Sequence, residues 1–423
     1  MRVLLVHPHT WFADPANRRV PDTLPMGLGI VKRMLKDAGV EVDVLDIQGR
    51  NMTRPEVVSE LAVRVAPDIV GISAMSTQYA YVKWLAEVVS QRFPAATIVL
   101  GGPLARFSYE VVLGCTDVDV CFTADAERHL LPFLGGGWAG TAHMGIAGNL
   151  RDELVVTPPL DTPASCDVVP DYSGFPVDTY MGDWRGWSIL SGRGCSYSCD
   201  FCSRQFDGLT YRGIDSMRAE LDAAPAHDHL LVADEFALAT PKRAAEIASL
   251  LGEYGPWSAN GRVNTVTDGM LAMLKEHRCE TVSYGVESGS PAILERMNKR
   301  TTPEQIEAAI HMTAEAGIRP NPQLIFGYVG ENDETLAETL AMIGRMKPDF
   351  RRYGVGLGFA WATPLPGSAL YDWCFETGRL TPEGEEAYLL SLEGGFNRMR
   401  VNLTDWPDEK ALRRYSYAIG ELR

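Results

Sequence analysis

The sequence has 423 residues, of which 46% are apolar and 22% charged, and carries a formal charge of −16. That content supports two or three packed domains. The acidity argues against a nucleic-acid partner, no apolar run approaches the roughly 18–20 residues of a membrane span, and the opening MRVLLVHP is too short for a secretory leader, so a cytoplasmic protein is expected.

In chain order, residues 1–134 alternate strands and helices. Strands are predicted at Val3–Val6, Val40–Leu45, Asp68–Ser73, Thr97–Leu100 and Val118–Phe122, each short and rich in Val, Ile and Leu, the pattern of strands covered on both faces. Helices are predicted around Met26–Asp37, Pro55–Val65, Ala80–Arg92 and Ala126–Phe133. In the first, Leu28, Val31, Met34 and Leu35 share a face and Gly39 is the stop. This alternation implies an α/β fold with a doubly wound parallel sheet, whose ligand binds beyond the carboxyl ends of the strands. The domain is assigned to 1–137, ending at Gly135-Gly136-Gly137. Residues 138–186, with Pro158, Pro159, Pro163, Pro170 and Pro176 and no sustained periodicity, read as a linker.

From Trp187 the alternation returns. Strands are predicted at Ser188–Ser191, Leu230–Val232, Ser258–Ala259, Thr281–Gly285, Gln323–Phe326 and Gly354–Phe359, and helices near Ser216–Ala223, Lys242–Tyr254, Asp268–Glu276, Pro303–Ala316 and Glu334–Met346. Six such units over residues 187–377 match a partial (β/α)6 barrel of the TIM type. The charged stretch 378–423 is expected to form two short helices closing the barrel.

Of eight cysteines, only Cys195, Cys199 and Cys202 cluster. Their segment, SGRGCSYSCDFCSR, runs off the first barrel strand, at the face where barrels hold their active sites. Three thiolates can ligate three irons of a 4Fe–4S cluster and leave the fourth open for chemistry. The spacing by itself also admits a structural zinc site, for which His227 is the nearest downstream histidine.

This C-x3-C-x2-C segment, with Phe201 before its third cysteine, resembles the signature of the radical S-adenosylmethionine (SAM) superfamily. The resemblance implies that the open iron chelates SAM, and that reductive cleavage, fed by an external flavodoxin- or ferredoxin-type donor, yields a 5′-deoxyadenosyl radical. It places Phe201 near the adenine. Asp234-Glu235, after the second barrel strand, resembles the acidic pair that meets the SAM amino group, although a solvated turn also accounts for it. Arg262, in GRVN, is a candidate for the SAM carboxylate, with surface capping as the alternative. Tyr284–Ser290 (YGVESGS) resembles the fourth-strand segment, giving Glu287 and Ser288 as candidates for the ribose hydroxyls. Ile325–Glu331 (IFGYVGE) resembles the fifth-strand motif beside adenine.

The amino-terminal domain resembles the Rossmann-like cobalamin-binding domain of cobalamin-dependent radical SAM enzymes through LPMGL (24–28), DIVGIS (68–73) and VLGGP (99–103). Ser73, Gly101, Gly102 and Pro103 are the candidate cobalamin contacts, small groups at strand ends that let a bulky ligand approach the backbone. The same residues could simply end strands. The loop HPHTWFADPAN lacks the DxHxxG cobalt-ligating motif, so cobalamin without a protein histidine is expected, with His7 and His9 read as exposed loop residues. The sequence TADAE (123–127) replaces the family's frequent Gly-Glu-Gly-Glu.

The resemblance implies C-methylation of an unactivated carbon of a small, secondary-metabolite-like substrate. The substrate radical would take methyl from methylcobalamin, and a second SAM would remethylate the cobalt. The alternative in the same branch is a cobalamin-using oxidoreductase, cyclase or rearrangement enzyme without methyl transfer. Methylthiotransfer is disfavoured because Cys115 and Cys121 do not match the extra cluster ligands it requires. A cobalamin sensor with a structural cluster would not cleave SAM. FAWATPLP (359–366), Trp361 and Tyr371 are expected to line the substrate pocket or to pack in the core.

Overall fold

The computed structural model describes residues 1–10, 23–136, 145–150, 153–157, 167–204, 208–354 and 357–422. The chain divides into two compact units, Met1–Asp183 with Leu380–Gly395, and Trp184–Arg379 with Phe396–Arg423. Pro158, Pro159, Pro163, Cys166, Gly137 and most of the HPHTWFADPAN loop lie outside the described residues.

The first unit runs β1 (Arg2–His7), α1 (Met26–Asp37), β2 (Glu41–Asp46), α2 (Arg54–Val63), β3 (Ile69–Ser73), α3 (Tyr79–Arg92), β4 (Thr97–Gly101), α4 (Pro103–Cys115), β5 (Val120–Phe122) and α5 (Ala126–Gly136). Strands β1 to β5 pair in parallel, in the order β2-β1-β3-β4-β5, so the winding reverses between β1 and β3. Leu28 and Leu35 of α1 enter the core against Val3, Leu5 and Val44, and Val31 packs beside them. Gly39, at φ +75°, ends the turn as expected.

Two features here escape the pattern analysis. Helix α4 mixes Phe107, Tyr109, Val111 and Val112, types of modest helix propensity, and is held by burial of Leu104, Ala105, Val112 and Leu113. The presumed linker supplies β6 (Ile146–Leu150) and β7 (Glu153–Thr157), an antiparallel hairpin that extends the sheet from β5. Five-residue strands carry little signal, because pairing with a neighbour is what makes them strands. Residues 167–183 also belong to this unit. Asp171 takes Lys36 at 2.6 Å, and Pro170 and Tyr172 cover Gly29 so closely that a Cβ there would meet the Tyr172 ring at 2.7 Å. Helix α6 (Val177–Met181) buries Tyr180, whose hydroxyl donates to Asp46 at 2.7 Å.

The second unit contains β8 (Gly186–Ile189), β9 (Gly192–Arg193), β10 (Thr210–Tyr211), α7 (Ile214–Ala223), β11 (His229–Val232), α8 (Pro241–Tyr254), β12 (Trp257–Gly261), α9 (Asp268–Glu276), β13 (Cys279–Glu287), α10 (Pro291–Arg296), α11 (Pro303–Glu315), β14 (Arg319–Phe326), α12 (Asp333–Tyr353), β15 (Gly358–Trp361) and α13 (Ala369–Glu376). Strands β8 and β11 to β15 pair in parallel and in chain order, a curled half-barrel open between β8 and β15. The helix starts are legible as N-caps. Thr240, Thr267, Thr302 and Asn332 each accept from a backbone N–H of the following turn.

The last 44 residues depart from the expectation of two helices on the barrel. Leu380–Gly395, with α14 (Glu385–Ser391), clusters with the first unit, where Glu386 accepts from Tyr79 at 2.9 Å and pairs with Lys83. Only α15 (Asp408–Leu422) joins the half-barrel, where Ala411, Ala418 and the preceding Trp406 pack with Phe326 and Trp361. Among the described residues no helix is long and apolar enough to cross a membrane.

Gly102 adopts φ +85°, and a Cβ there would meet the Ala74 carbonyl oxygen at 2.7 Å. Gly102→Ala is therefore expected to destabilise the first unit by about 1–3 kcal/mol, read as a lower midpoint in denaturant, whereas Gly27→Ala, with open space around it, should not.

Candidate active site

Strand β8 leads through Leu190 and Ser191 into a hairpin in which Gly192 and Arg193 pair antiparallel with Tyr211 and Thr210. The cysteines lie between these two short strands. Two buried charges fix the entry to this loop. Asp234 accepts from the Ser191 N–H at 2.7 Å and from its hydroxyl, while Arg243 donates to the Ser191 carbonyl at 2.6 Å and to the Arg212 carbonyl at 2.7 Å. Arg212 in turn pairs with buried Glu220. Burial pushes the Asp234 carboxyl up to about 6, against the Ser191 donors that favour its charge.

The loop itself is strapped from several elements. The Asp200 N–H donates to the Met297 carbonyl at 3.0 Å, and the Leu370 N–H donates to the Asp200 carbonyl at 2.8 Å. The Asn298 amide donates to the Ser198 carbonyl at 2.7 Å, and the Ser203 hydroxyl to the Pro366 carbonyl at 2.6 Å. Gly194, at φ +84°, allows the turn into the first cysteine.

Cys199 is buried, Cys195 half-buried and Cys202 exposed as a residue. Burial raises the Cys195 thiol. Burial first, then Glu235 and the other two thiols, pushes Cys202 up to about 11. The Cys199 thiol raises the proton affinity of Cys195, and both raise that of Cys202, a repulsion that a bound cationic centre would reverse. Among the described residues no three His, Cys, Asp or Glu side chains converge on a single ion. Thiolates each bonded to a separate iron are instead what a cluster requires. His227 lies before β11, at the amino end of a strand parallel to β8, with its Nδ1 2.9 Å from the Pro225 carbonyl. The cysteines follow the carboxyl end of β8, so the zinc reading loses its local fourth ligand. The donor set fits a cluster held by three thiolates.

Arg262, 8% exposed, follows β12 and lies over the Tyr197 ring, its guanidinium carbon 3.6 Å from the ring centre. Its Nη1 is 3.5 Å from the Cys199 Sγ, and Nη2 donates to the Lys299 carbonyl. At the end of β13 the chain bulges. Glu287 takes φ +64° and pairs with Lys299 at 2.6 Å, both buried. The pair lies over Gly285, where a Cβ would meet Glu287 Oε1 at 2.3 Å and Lys299 Nζ at 2.7 Å. Lys299 Nζ is 5.6 Å from the centre of the Phe201 ring. Phe201, Glu235, Arg262 and Glu287 thus gather around the cysteine loop, together with Lys299. Sequence reasoning passed over Lys299 because the NKR in which it stands carries no motif of its own.

Two expected contacts are engaged elsewhere. Asp234 holds Ser191, and Ser288, 1% exposed, shares a hydrogen bond of 3.1 Å with Thr339 and accepts from the Ser290 N–H. Trp361 is buried against Phe326 and Tyr415, and Tyr371 against Phe375, so both pack in the core.

In the first unit Ser73 ends β3, Gly101 ends β4 and Pro103 opens α4. The Ala74 N–H donates to the Gly101 carbonyl at 3.1 Å and the Leu104 N–H to the Ala74 carbonyl at 3.1 Å, so the two strand ends form one small-residue ledge. A Cβ at Gly101 would lie 3.9 Å from its nearest neighbour, the Ile72 carbonyl oxygen, leaving the backbone open to a bulky planar ligand. The histidines are not exposed. His9 is 3% exposed, and the His7 Nδ1 is held by Asp46 at 3.1 Å and Tyr180 at 2.9 Å. A buried carboxylate and a tyrosine from outside the first loop supply the partners that the local sequence does not show.

This site and fold define a radical SAM enzyme, and comparison with known proteins agrees. Residues 16–130 match the B12 binding domain, and residues 189–343 match the radical SAM superfamily. Over 399 residues the chain is 26% identical to an uncharacterized methyltransferase of Pyrococcus horikoshii, spanning 90% of this chain and 84% of that protein. It is 27% identical over 402 residues to the anaerobic magnesium-protoporphyrin IX monomethyl ester cyclase of Rubrivivax gelatinosus, spanning 88% and 70%. The fold matches the radical SAM methyltransferase TsrM of Kitasatospora setae, solved with cobalamin and a 4Fe–4S cluster, at a TM-score of 0.71 and 19% identity over 90% of this chain and 79% of that one. The chain belongs to the cobalamin-dependent radical SAM enzymes, whose cofactors are a 4Fe–4S cluster, SAM and cobalamin.

Glu331, 2% exposed, accepts from the Gly327 N–H at 2.5 Å, and burial pushes its carboxyl up to about 8. A raised carboxyl favours folding while it is protonated. That contribution is complete below the ordinary value of 4.5, declines above it, and is lost as pH passes about 8. Glu331→Gln is expected to flatten this decline, leaving Tm near wild type at pH 5 and above it at pH 8.5. Parallel profiles for the two proteins would contradict the assignment.

Proposed function

We propose that the protein is a C-methyltransferase acting on an unactivated carbon of a small-molecule substrate. The observation that carries this reading is the three-thiol loop at the carboxyl end of β8, in a chain whose amino-terminal unit is a B12 binding domain. The methyltransferase relative from Pyrococcus horikoshii, matched across 90% of the chain, supports it.

In this reading Cys195, Cys199 and Cys202 ligate the cluster, and Ser73, Gly101, Gly102 and Pro103 receive cobalamin. The chemistry these groups supply when bound is one-electron cleavage of SAM and transfer of a methyl group from cobalt. The residues of the chain bind, orient and exclude water. Phe201 flanks the adenine, and the Glu287–Lys299 pair presents one acceptor and one donor to the polar end of SAM. Glu235, exposed beside the thiols, meets its amino group. Asp234 and Ser288 act in the scaffold, keeping the loop and the end of β13 in place. A flavodoxin- or ferredoxin-type donor would supply the electron, in the reducing environment of the cytoplasm.

The cyclase of Rubrivivax gelatinosus, matched over 88% of this chain, favours a second reading, radical oxidation or cyclisation without methyl transfer. Anaerobically reconstituted protein, given hydroxocobalamin, dithionite and methyl-labelled SAM, separates the two. The methyltransferase is expected to label its own cobalamin as well as to release deoxyadenosine. Deoxyadenosine with unlabelled, retained cobalamin would favour the second reading. Cys199→Ala is expected to retain cobalamin while losing the 4Fe–4S absorbance and all deoxyadenosine formation.

A further inference from the structure

Arg262 stands where sequence reasoning places a clamp for the SAM carboxylate, yet its guanidinium is engaged on every side by the protein. Nε is 3.4 Å from Asn264 Oδ1, Nη2 donates to the Lys299 carbonyl, Nη1 reaches the Cys199 Sγ at 3.5 Å, and the flat face stacks on Tyr197 at 3.6 Å. Tyr197 and Cys199 are both residues of the cysteine loop, so one cation grips that loop by a ring and by a sulfur. A guanidinium fixed this way has surrendered the freedom to swing onto a ligand and presents a constant positive charge to one thiolate.

We propose that Arg262 is a positioning residue of the cluster that sets its reduction potential, rather than the clamp for the SAM carboxylate. The inference rests on the reading of Cys199 as a cluster ligand. On reduction one electron from the external donor adds to the cluster, no bond at Arg262 breaks, and no proton leaves it. The added negative charge is delocalised onto the sulfurs. A cationic N–H aimed at Cys199 therefore stabilises the reduced state more than the oxidised one and raises the potential. The ring contact keeps that donor aligned while the loop carries its irons.

The test is a redox titration of the reconstituted holoenzyme, followed by the electron paramagnetic resonance signal of the reduced cluster and normalised to bound iron. In Arg262→Gln the reduced-to-oxidised ratio at fixed potential is expected to fall about tenfold, about 59 mV for a one-electron couple. The signal should still change shape when SAM is added. Arg262→Lys keeps the charge and is expected within about threefold of wild type. An unchanged ratio in Arg262→Gln, with the response to SAM lost, would make Arg262 the carboxylate clamp and overturn the proposal. An equal tenfold fall in Arg262→Lys would overturn it as well, by assigning the potential to the stacked geometry instead of the charge. A wild-type protein that binds no cluster would instead sink the reading of the three cysteines, a separate failure.

Discussion

Ser191 is one residue, and three of its polar groups are taken by charges brought from elsewhere in the fold. Asp234, after β11, holds its N–H and hydroxyl, and Arg243, in the first turn of α8, holds its carbonyl. A loop that carries three cysteines has no regular structure to fix it, since loops do not satisfy their own backbone. The fold answers this with buried charges that cancel one another around the loop entry. Glu220 offsets Arg212 and Asp234 offsets Arg243, while Arg212, Asp234 and Arg243 also satisfy backbone atoms at the entry to the hairpin. The cost of burying them is offset only while all are present, which makes the arrangement geometrically intolerant.

The fold class and the cysteine loop were both legible in the sequence, for different reasons. Parallel strands buried on both faces are continuous apolar runs, so the order of the strands could be read directly, whereas helices α4, α10 and α13 were passed over. The cysteine loop was legible because its three cysteines lie within eight positions of one another. What surrounds it was not. Arg243 meets Ser191 across 52 residues and Lys299 meets Glu287 across 12, and neither residue stands in a pattern that marks it as a partner. The hairpin of β6 and β7 was hidden for a related reason, since its strands exist through pairing with β5 rather than through their own composition.

The same contrast separates the histidines from what holds them. HPH reads locally as an exposed turn, but His7 closes a buried cluster with Asp46 and Tyr180, drawing the ends of β1 and β2 to α6. Tyr180 belongs to the stretch read as linker, which is thereby a structural part of the first unit. Burial and the neighbouring carboxylate hold its hydroxyl far above the ordinary range, so it serves as a fixed donor at every pH the protein meets.

The return of Leu380–Gly395 to the first unit, before the chain ends with α15 in the second, gives the protein a woven connectivity. Neither unit is a continuous cassette. Ending the chain at Arg379 would strip one helix from each, and grafting the amino-terminal unit onto another radical SAM barrel at a single junction near residue 184 would leave Tyr79 and Lys83 without Glu386. Exchange of the amino-terminal unit of this chain would thus have to move both of its segments together, or rebuild the face of α3 that α14 covers.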